Sequence, residues 1–198
     1  IISGTKGNAQ GARIKKVRLK QFESHEDVGT PSRKLSNLFW ASLNWESLTG
    51  QLCSKVSILD LGCGKGHYSY RYKKLLDENF ISYTGIDIYK HDQFPREFTH
   101  ILDKAENAYQ HIDGQNFIVS QSALEHIEHD QETLKTITKK LIENGNPFIQ
   151  IHLVPASAAL FLYLWHGWRQ YSKKNLGTIS EQLISSFGVN VQIVPLGG

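Results

Sequence analysis

Short aliphatic runs punctuate the chain at residues 56–61, 81–87, 98–103, 115–120 and 148–153. Each is shorter than an ordinary helix and is bounded by polar or glycine-bearing segments, so each reads as a strand buried on both faces. Between the runs, apolar positions recur at three- and four-residue spacing. Tyr68, Tyr72, Leu75 and Leu76 mark a helix over 67–79, and Leu134, Ile137, Leu141 and Ile142 mark one over 130–144 that Gly145 and Pro147 end. A short helix through Ala105 and Tyr109 follows the third run. Before the first run, from Ser32 or Ser36, helical spacing links Leu35, Leu38, Phe39, Ser42 and Leu43, with Trp40 and Trp45 adding bulk for core packing. A last helix over 178–187 leads to a strand at 189–194. Strands alternating with helices predict an α/β fold, a doubly wound and mainly parallel sheet with helices on both faces and right-handed crossovers. Residues 1–33 are polar, with Pro31 and no sustained period, and read as an N-terminal arm before a single domain over 34–198.

The first run carries the chemistry. It ends in Asp60-Leu61-Gly62-Cys63-Gly64-Lys65-Gly66-His67, an acid inside a strand followed by glycines at alternate positions. Such glycines permit a tight turn whose backbone lies open to a ligand, as nucleotide-binding turns require. The dinucleotide fingerprint fails because His67 stands where it needs glycine, and the G-x-x-x-x-G-K-[ST] loop is absent. The next run closes on Asp87, where a β-α-β unit places the acid that holds ribose hydroxyls.

On these residues the chain resembles the class I S-adenosylmethionine-dependent methyltransferases, whose first motif is an apolar strand, an acid near its end and this glycine pattern. The resemblance implies a Rossmann-like sheet and S-adenosylmethionine as cofactor. Gly62, Gly64 and Gly66, with Cys63 among them, would let the backbone approach the methionyl part, and the Asp60 carboxylate would lie near its ammonium group. Asp87 and Ile88 would meet the ribose and its surroundings. In the family, the loop after the third strand offers an acid and an amide to adenine, and Asp103 is the nearest match; an aspartate before a helix is equally an N-cap. The family's sheet also has a seventh, antiparallel strand hairpin-paired with the sixth. No segment for it follows residue 194, so that strand is expected either to be lacking or truncated or to lie beyond the sequence.

Strand ends line the ligand crevice of such sheets, which brings Ser120 and the following Ser122-Ala123-Leu124-Glu125-His126-Ile127 to the sulfonium and the methyl acceptor. His126 is the first candidate base for an oxygen acceptor and His152, ending the fifth run, the second, since histidine titrates near neutral pH. The plainer reading is that Glu125 and His126 order the first turn of a helix. Some relatives hold a divalent metal near such a Glu-His pair, but Ser122 stands where an acid is wanted, so no metal is expected. The prolines of base N-methyltransferases and the Pro-Cys pair of cytosine C5 enzymes are absent. Residues 161–171, with Phe161, Tyr163, Trp165, Trp168, Arg169 and Tyr171, mix ring faces and hydrogen-bonding groups as a saccharide or hydroxylated ring demands. Their wording resembles methyltransferases of bacterial surface polysaccharides.

Composition narrows the rest. A net charge of +3 in 198 residues is too small for a nucleic-acid binder, and the most apolar segment, 156–165, is far short of the ~20 residues that span a bilayer. Two cysteines fit a reducing cytoplasm. The absence of methionine points to residues missing from the sequence, with spacings shortened across any gap. The expected function is methylation of a small molecule, on oxygen of a saccharide or similar metabolite. A catalytically idle cofactor-binding scaffold is the alternative.

Overall fold

The computed structural model describes residues 1–4, 31–53, 55–155 and 168–196. Its strands are β1 (Ile2–Gly4), β2 (Val56–Leu61), β3 (Phe80–Asp87), β4 (Thr99–Leu102), β5 (Phe117–Gln121), β6 (Phe148–Leu153) and β7 (Asn190–Val191). Its α-helices are α1 (Pro31–Ser42), α2 (Trp45–Gln51), α3 (Ser69–Leu76), α4 (Asp130–Glu143) and α5 (Lys173–Phe187). The strands form one sheet in the order β4-β3-β2-β5-β6-β1-β7. β2 to β6 pair in parallel, which puts their carboxyl ends on one edge.

Alternation along the strands sends side chains to two cores. Val56, Ile58, Tyr83, Phe117, Val119, Ile149 and Ile151 meet Phe39, Trp40 and Leu48 of α1 and α2 and Tyr72 and Leu76 of α3. Leu59, Leu61, Ile86, Ile118 and Phe148 meet Leu134, Ile137 and Leu141 of α4 and Ile179 and Leu183 of α5. The expected core role of the α1 aromatics is met: Trp40 is fully buried and packs edge-on to Tyr72.

Among the described residues no strand follows β7, and an N-terminal strand takes the antiparallel place in the sheet. β1 lies between β6 and β7 and runs antiparallel to both, with Ile2 opposite Gln150 and Val191. Ile2 and Ser3 are buried, so these residues are part of the sheet rather than of an arm; residues 5–30 of that predicted arm lie outside the described residues. Gly4 sits flat on Phe148, whose ring leaves no room for a Cβ. A three-residue strand shows no period, and its partners are distant in sequence. β7 is also shorter than the run at 189–194. α5 begins at Lys173 rather than 178 because the Ser172 hydroxyl accepts the Asn175 amide at 3.1 Å, capping a polar first turn. It ends at Gly188 in the left-handed region. The short helices after β4 and β5 are 3-10 turns, Ala105–His111 and Leu124–His126. Among the described residues no helix is long and apolar enough to cross a membrane.

Candidate active site

The carboxyl edge gathers the glycine turn, Asp87, Asp103, and the tips of β5 and β6. Asp60 lies in register with Gly85 and Val119 and points, like Ile58, toward the α1–α3 layer. It is almost fully buried, and Tyr83 OH donates to its Oδ2 at 2.6 Å. Burial pushes its carboxyl up to about 7 against the opposing effect of the Tyr83 bond, and the nearby Asp87 charge adds to the rise.

The turn is tied across to β3. The amides of Gly62 and Cys63 both donate to Ile86 O, and the Gly64 amide donates to Asp87 Oδ2 at 2.8 Å. Asp87 Oδ1 accepts from the Tyr89 amide at 3.0 Å, with His91 Nε2 3.7 Å away. The glycines have separate tasks. At Gly62, with φ +69°, an added Cβ would stand 2.6 Å from Ala123 Cβ, an atom fixed to the backbone beyond β5. At Gly64, with φ +53°, it would meet nothing within 4 Å. Gly62→Ala is therefore expected to cost roughly 2–3 kcal/mol of stability, and Gly64→Ala about 1 kcal/mol. Gly64→Ala is expected to impair cofactor binding well beyond its effect on melting, which paired calorimetry and thermal melts would check.

The other expected contacts occupy distinct settings. Cys63 turns its sulfur onto Gly85, and burial pushes its thiol up. Ile88 is mostly exposed next to the turn's partner Asp87. Asp103 bonds His111 Nε2 at 2.7 Å and accepts from Asn107 Nδ2 and the Lys104 amide. The His111 bond, then Asn107, holds its carboxyl below the usual carboxylate range. Ser120 is fully buried on the α4–α5 side, its Oγ 2.9 Å from His152 Nδ1. His152 Nε2 is 3.3 Å from Gln150 Oε1, and Gln150 Nε2 donates to Thr138 Oγ1, which donates to Leu134 O. A consistent set of donors along this chain makes His152 the Nε2–H tautomer, with Ser120 donating to Nδ1. Burial lowers His152 to about 3. His126 lies in the 3-10 turn after β5 and is exposed.

Contacts that no local pattern revealed hold this edge together. Trp40 Nε1 donates to Gln121 Oε1 at 2.9 Å, Gln121 Nε2 donates to Tyr68 OH, and Tyr68 OH donates to Asn37 Oδ1 at 2.9 Å. This chain ties α1 to the β5 tip and to the residue that opens α3. On the other side, Asp130 at the start of α4 is fully buried and accepts from Arg169 Nε at 2.9 Å and from Tyr171 OH at 2.6 Å. The Trp168 and Arg169 amides donate to Glu125 O at 2.6 and 3.3 Å. Residues 168–171 of the aromatic segment are thus fixed beside the β5 tip, with Trp168 69% exposed; its residues 161–167 lie outside the described residues.

A cradle open above Gly64, its amide already directed toward one carboxylate, and a second buried carboxylate one turn away fit a cofactor that carries a cationic amino-acid end. The family model described as methyltransferase domain matches residues 12–186. None of the curated proteins matches the chain. Among solved structures, the plantazolicin methyltransferase BpumL, in complex with a pentazolic desmethylPZN analog and SAH, aligns with a TM-score of 0.55 at 18% identity, over 78% of this chain and 70% of its own. The sugar N-methyltransferase KedS8 from Streptoalloteichus sp ATCC 53650 aligns at 0.40 and 10% identity, over 78% of this chain and 60% of its own, too distant to carry an argument. With the family model spanning most of the chain and the sheet, glycine turn and paired acids in place, the chain belongs to the methyltransferase-domain family and is a Rossmann-like, class I, S-adenosylmethionine-dependent methyltransferase.

Proposed function

We propose that the chain methylates oxygen of a small hydroxylated acceptor, a saccharide or similar metabolite, in the cytoplasm. The observation that carries this reading is the Trp168 indole, exposed and pinned through its own amide to Glu125 O at the β5 tip. An indole face covers the C–H face of a sugar, and the polar groups around it sort hydroxyls.

The backbone of Gly62, Gly64 and Gly66, with Cys63, would hold the methionyl part of the cofactor, Asp60 would face its ammonium group, and Asp87 its ribose. Ile88 and Asp103 would border the adenine, and Ser120 would floor the crevice. When bound, the cofactor supplies a methyl group already activated on a sulfonium, so the protein's work is positioning and exclusion of water. His126 would lie on the acceptor side and is the more exposed of the two histidines. His152 serves better as a positioning residue than as a base: both its ring nitrogens are engaged, and with a pKa of about 3 the neutral ring takes up no second proton near neutral pH.

The test is S-adenosylhomocysteine formation with a panel of monosaccharides, glycosides, catechols and simple amines. The reading expects product from sugar hydroxyls, with the new methyl group on oxygen. Product from amines alone would overturn it.

A further inference from the structure

Asp60, Asp87, Asp103 and Asp130 each have a hydrogen-bonded carboxylate. Glu125 is satisfied only in part. It is 1% exposed, its own backbone amide bonds the carboxyl, and among the described residues its Oε2 is buried with no hydrogen-bond partner. Buried carboxylates are ordinarily paired or hydrogen-bonded, and an exception at a ligand crevice calls for a partner that arrives with the ligand.

The side chain is not what holds the turn. Glu125 contributes its carbonyl, which accepts from Trp168 and Arg169, and the turn closes through His126 N to Ala123 O and Ile127 N to Leu124 O. Nor, among the described residues, is a cation directed at it. Arg169, whose amide bonds the Glu125 carbonyl, directs its guanidinium to Asp130, and Tyr171 gives its hydroxyl hydrogen to the same aspartate. Among the described residues, the charged or titratable neighbours from the packed elements are thus Asp130 of α4, Arg169 and Tyr171 before α5, and His126 alongside. The main chain closes this turn by itself, and the acid it carries keeps one buried oxygen without a partner among the described residues.

We propose that Glu125 is the proton acceptor of the methyl-transfer site, taking the proton of the acceptor hydroxyl. In that step the acceptor oxygen forms its bond to the methyl carbon as the methyl–sulfur bond breaks. The bonding pair stays on sulfur, and the hydroxyl proton passes to Glu125. This assignment rests on the hydroxyl-acceptor reading above. Shielding from bulk water, which pushes the Glu125 carboxyl up to about 7, makes it basic enough for the task near neutral pH.

The experiment has two arms, both on the full chain. In the first, the protein labelled with carbon-13 at glutamate carboxyls and saturated with S-adenosylhomocysteine is titrated by NMR. One carboxyl is expected to titrate near neutrality and to be missing from Glu125→Gln, with Glu125→Asp as a second variant should the first fold poorly. If every glutamate titrates in the ordinary carboxylate range, the proposal is overturned. In the second arm, with whichever sugar the panel identifies, Glu125→Gln is expected to lower kcat about 100-fold, to keep S-adenosylhomocysteine affinity within about twofold, and to remove the rise of kcat/KM through neutral pH. Retention of that rise in Glu125→Gln with its loss in His126→Ala gives the role to His126 and overturns the proposal. If the panel yields no methylated sugar, the hydroxyl reading fails and the carboxyl titration alone decides whether Glu125 is such a group.

Discussion

Replacing Asp130 by alanine is expected to destabilise the chain by roughly 3–5 kcal/mol, the range for breaking a buried ion pair by removing one partner. The size follows from what is stranded. Asp130 is fully buried, Arg169 lies 2.8 Å from Oδ2, and the Tyr171 hydroxyl reaches the same oxygen. Without the carboxylate, the guanidinium loses its partner and the Tyr171 hydroxyl, in a residue that is 2% exposed, loses its acceptor. The effect should reach function as well, because the same contact fixes Trp168 and Arg169 against the Glu125 carbonyl. Asp130→Asn keeps an acceptor for Tyr171 and should lose about half as much. Chemical denaturation of the variants checks this, with a loss under about 1 kcal/mol for the alanine variant contradicting it.

Asp60→Asn is expected to move stability and cofactor affinity in opposite directions. With its folded-state pKa raised to about 7, Asp60 stays protonated in the folded chain at pH values where the unfolded chain has released the proton. Its contribution is therefore fully present below the ordinary carboxylate range and is lost as pH rises through about 7. Glu125, also raised to about 7, acts in the same sense. The free protein should thus lose stability between about pH 4 and about pH 7 through these groups, and Asp60→Asn should flatten part of that fall. Above neutrality the variant should be more stable by roughly 1–2 kcal/mol, because the asparagine oxygen still accepts from Tyr83 and no buried charge remains. A cation near Asp60 gains from the carboxylate, so cofactor affinity should fall roughly 10- to 100-fold. Melting curves across pH with and without S-adenosylmethionine separate the two effects. A variant that is less stable in basic solution and binds the cofactor normally would show that Asp60 serves only the fold.

What was legible in the sequence is what is local. The strands β2, β3, β5 and β6 are aliphatic runs set off by glycine and polar residues, and the Asp60–Gly66 turn announces itself by spacing alone. Asp87 was legible because the length of a β-α-β unit fixes where the next strand ends. What stayed hidden depends on pairing between distant residues. Nothing in Ile2-Ser3-Gly4 marks it as the antiparallel strand between β6 and β7, since register is set by partners far along the chain. Gln121 reads as one more polar residue at a strand end until Trp40 and Tyr68 close on it. His152 reads as a candidate base by position, and its bonds to Ser120 and Gln150 become visible only in the fold. Asp130 reads as a helix start, and its partners Arg169 and Tyr171 come from the far side of the aromatic segment.

The central claim is that the cofactor lies on the carboxyl edge, over the glycine turn and beside Asp87. Amide NMR of the nitrogen-15 protein titrated with S-adenosylhomocysteine tests it most directly. The largest shifts are expected at Gly62, Gly64 and Gly66 and from Asp87 to Tyr89. Shifts confined to the opposite edge, where a groove of about 450 Å³ opens among Lys55, Asn116, Asn144 and Asn146, would contradict it.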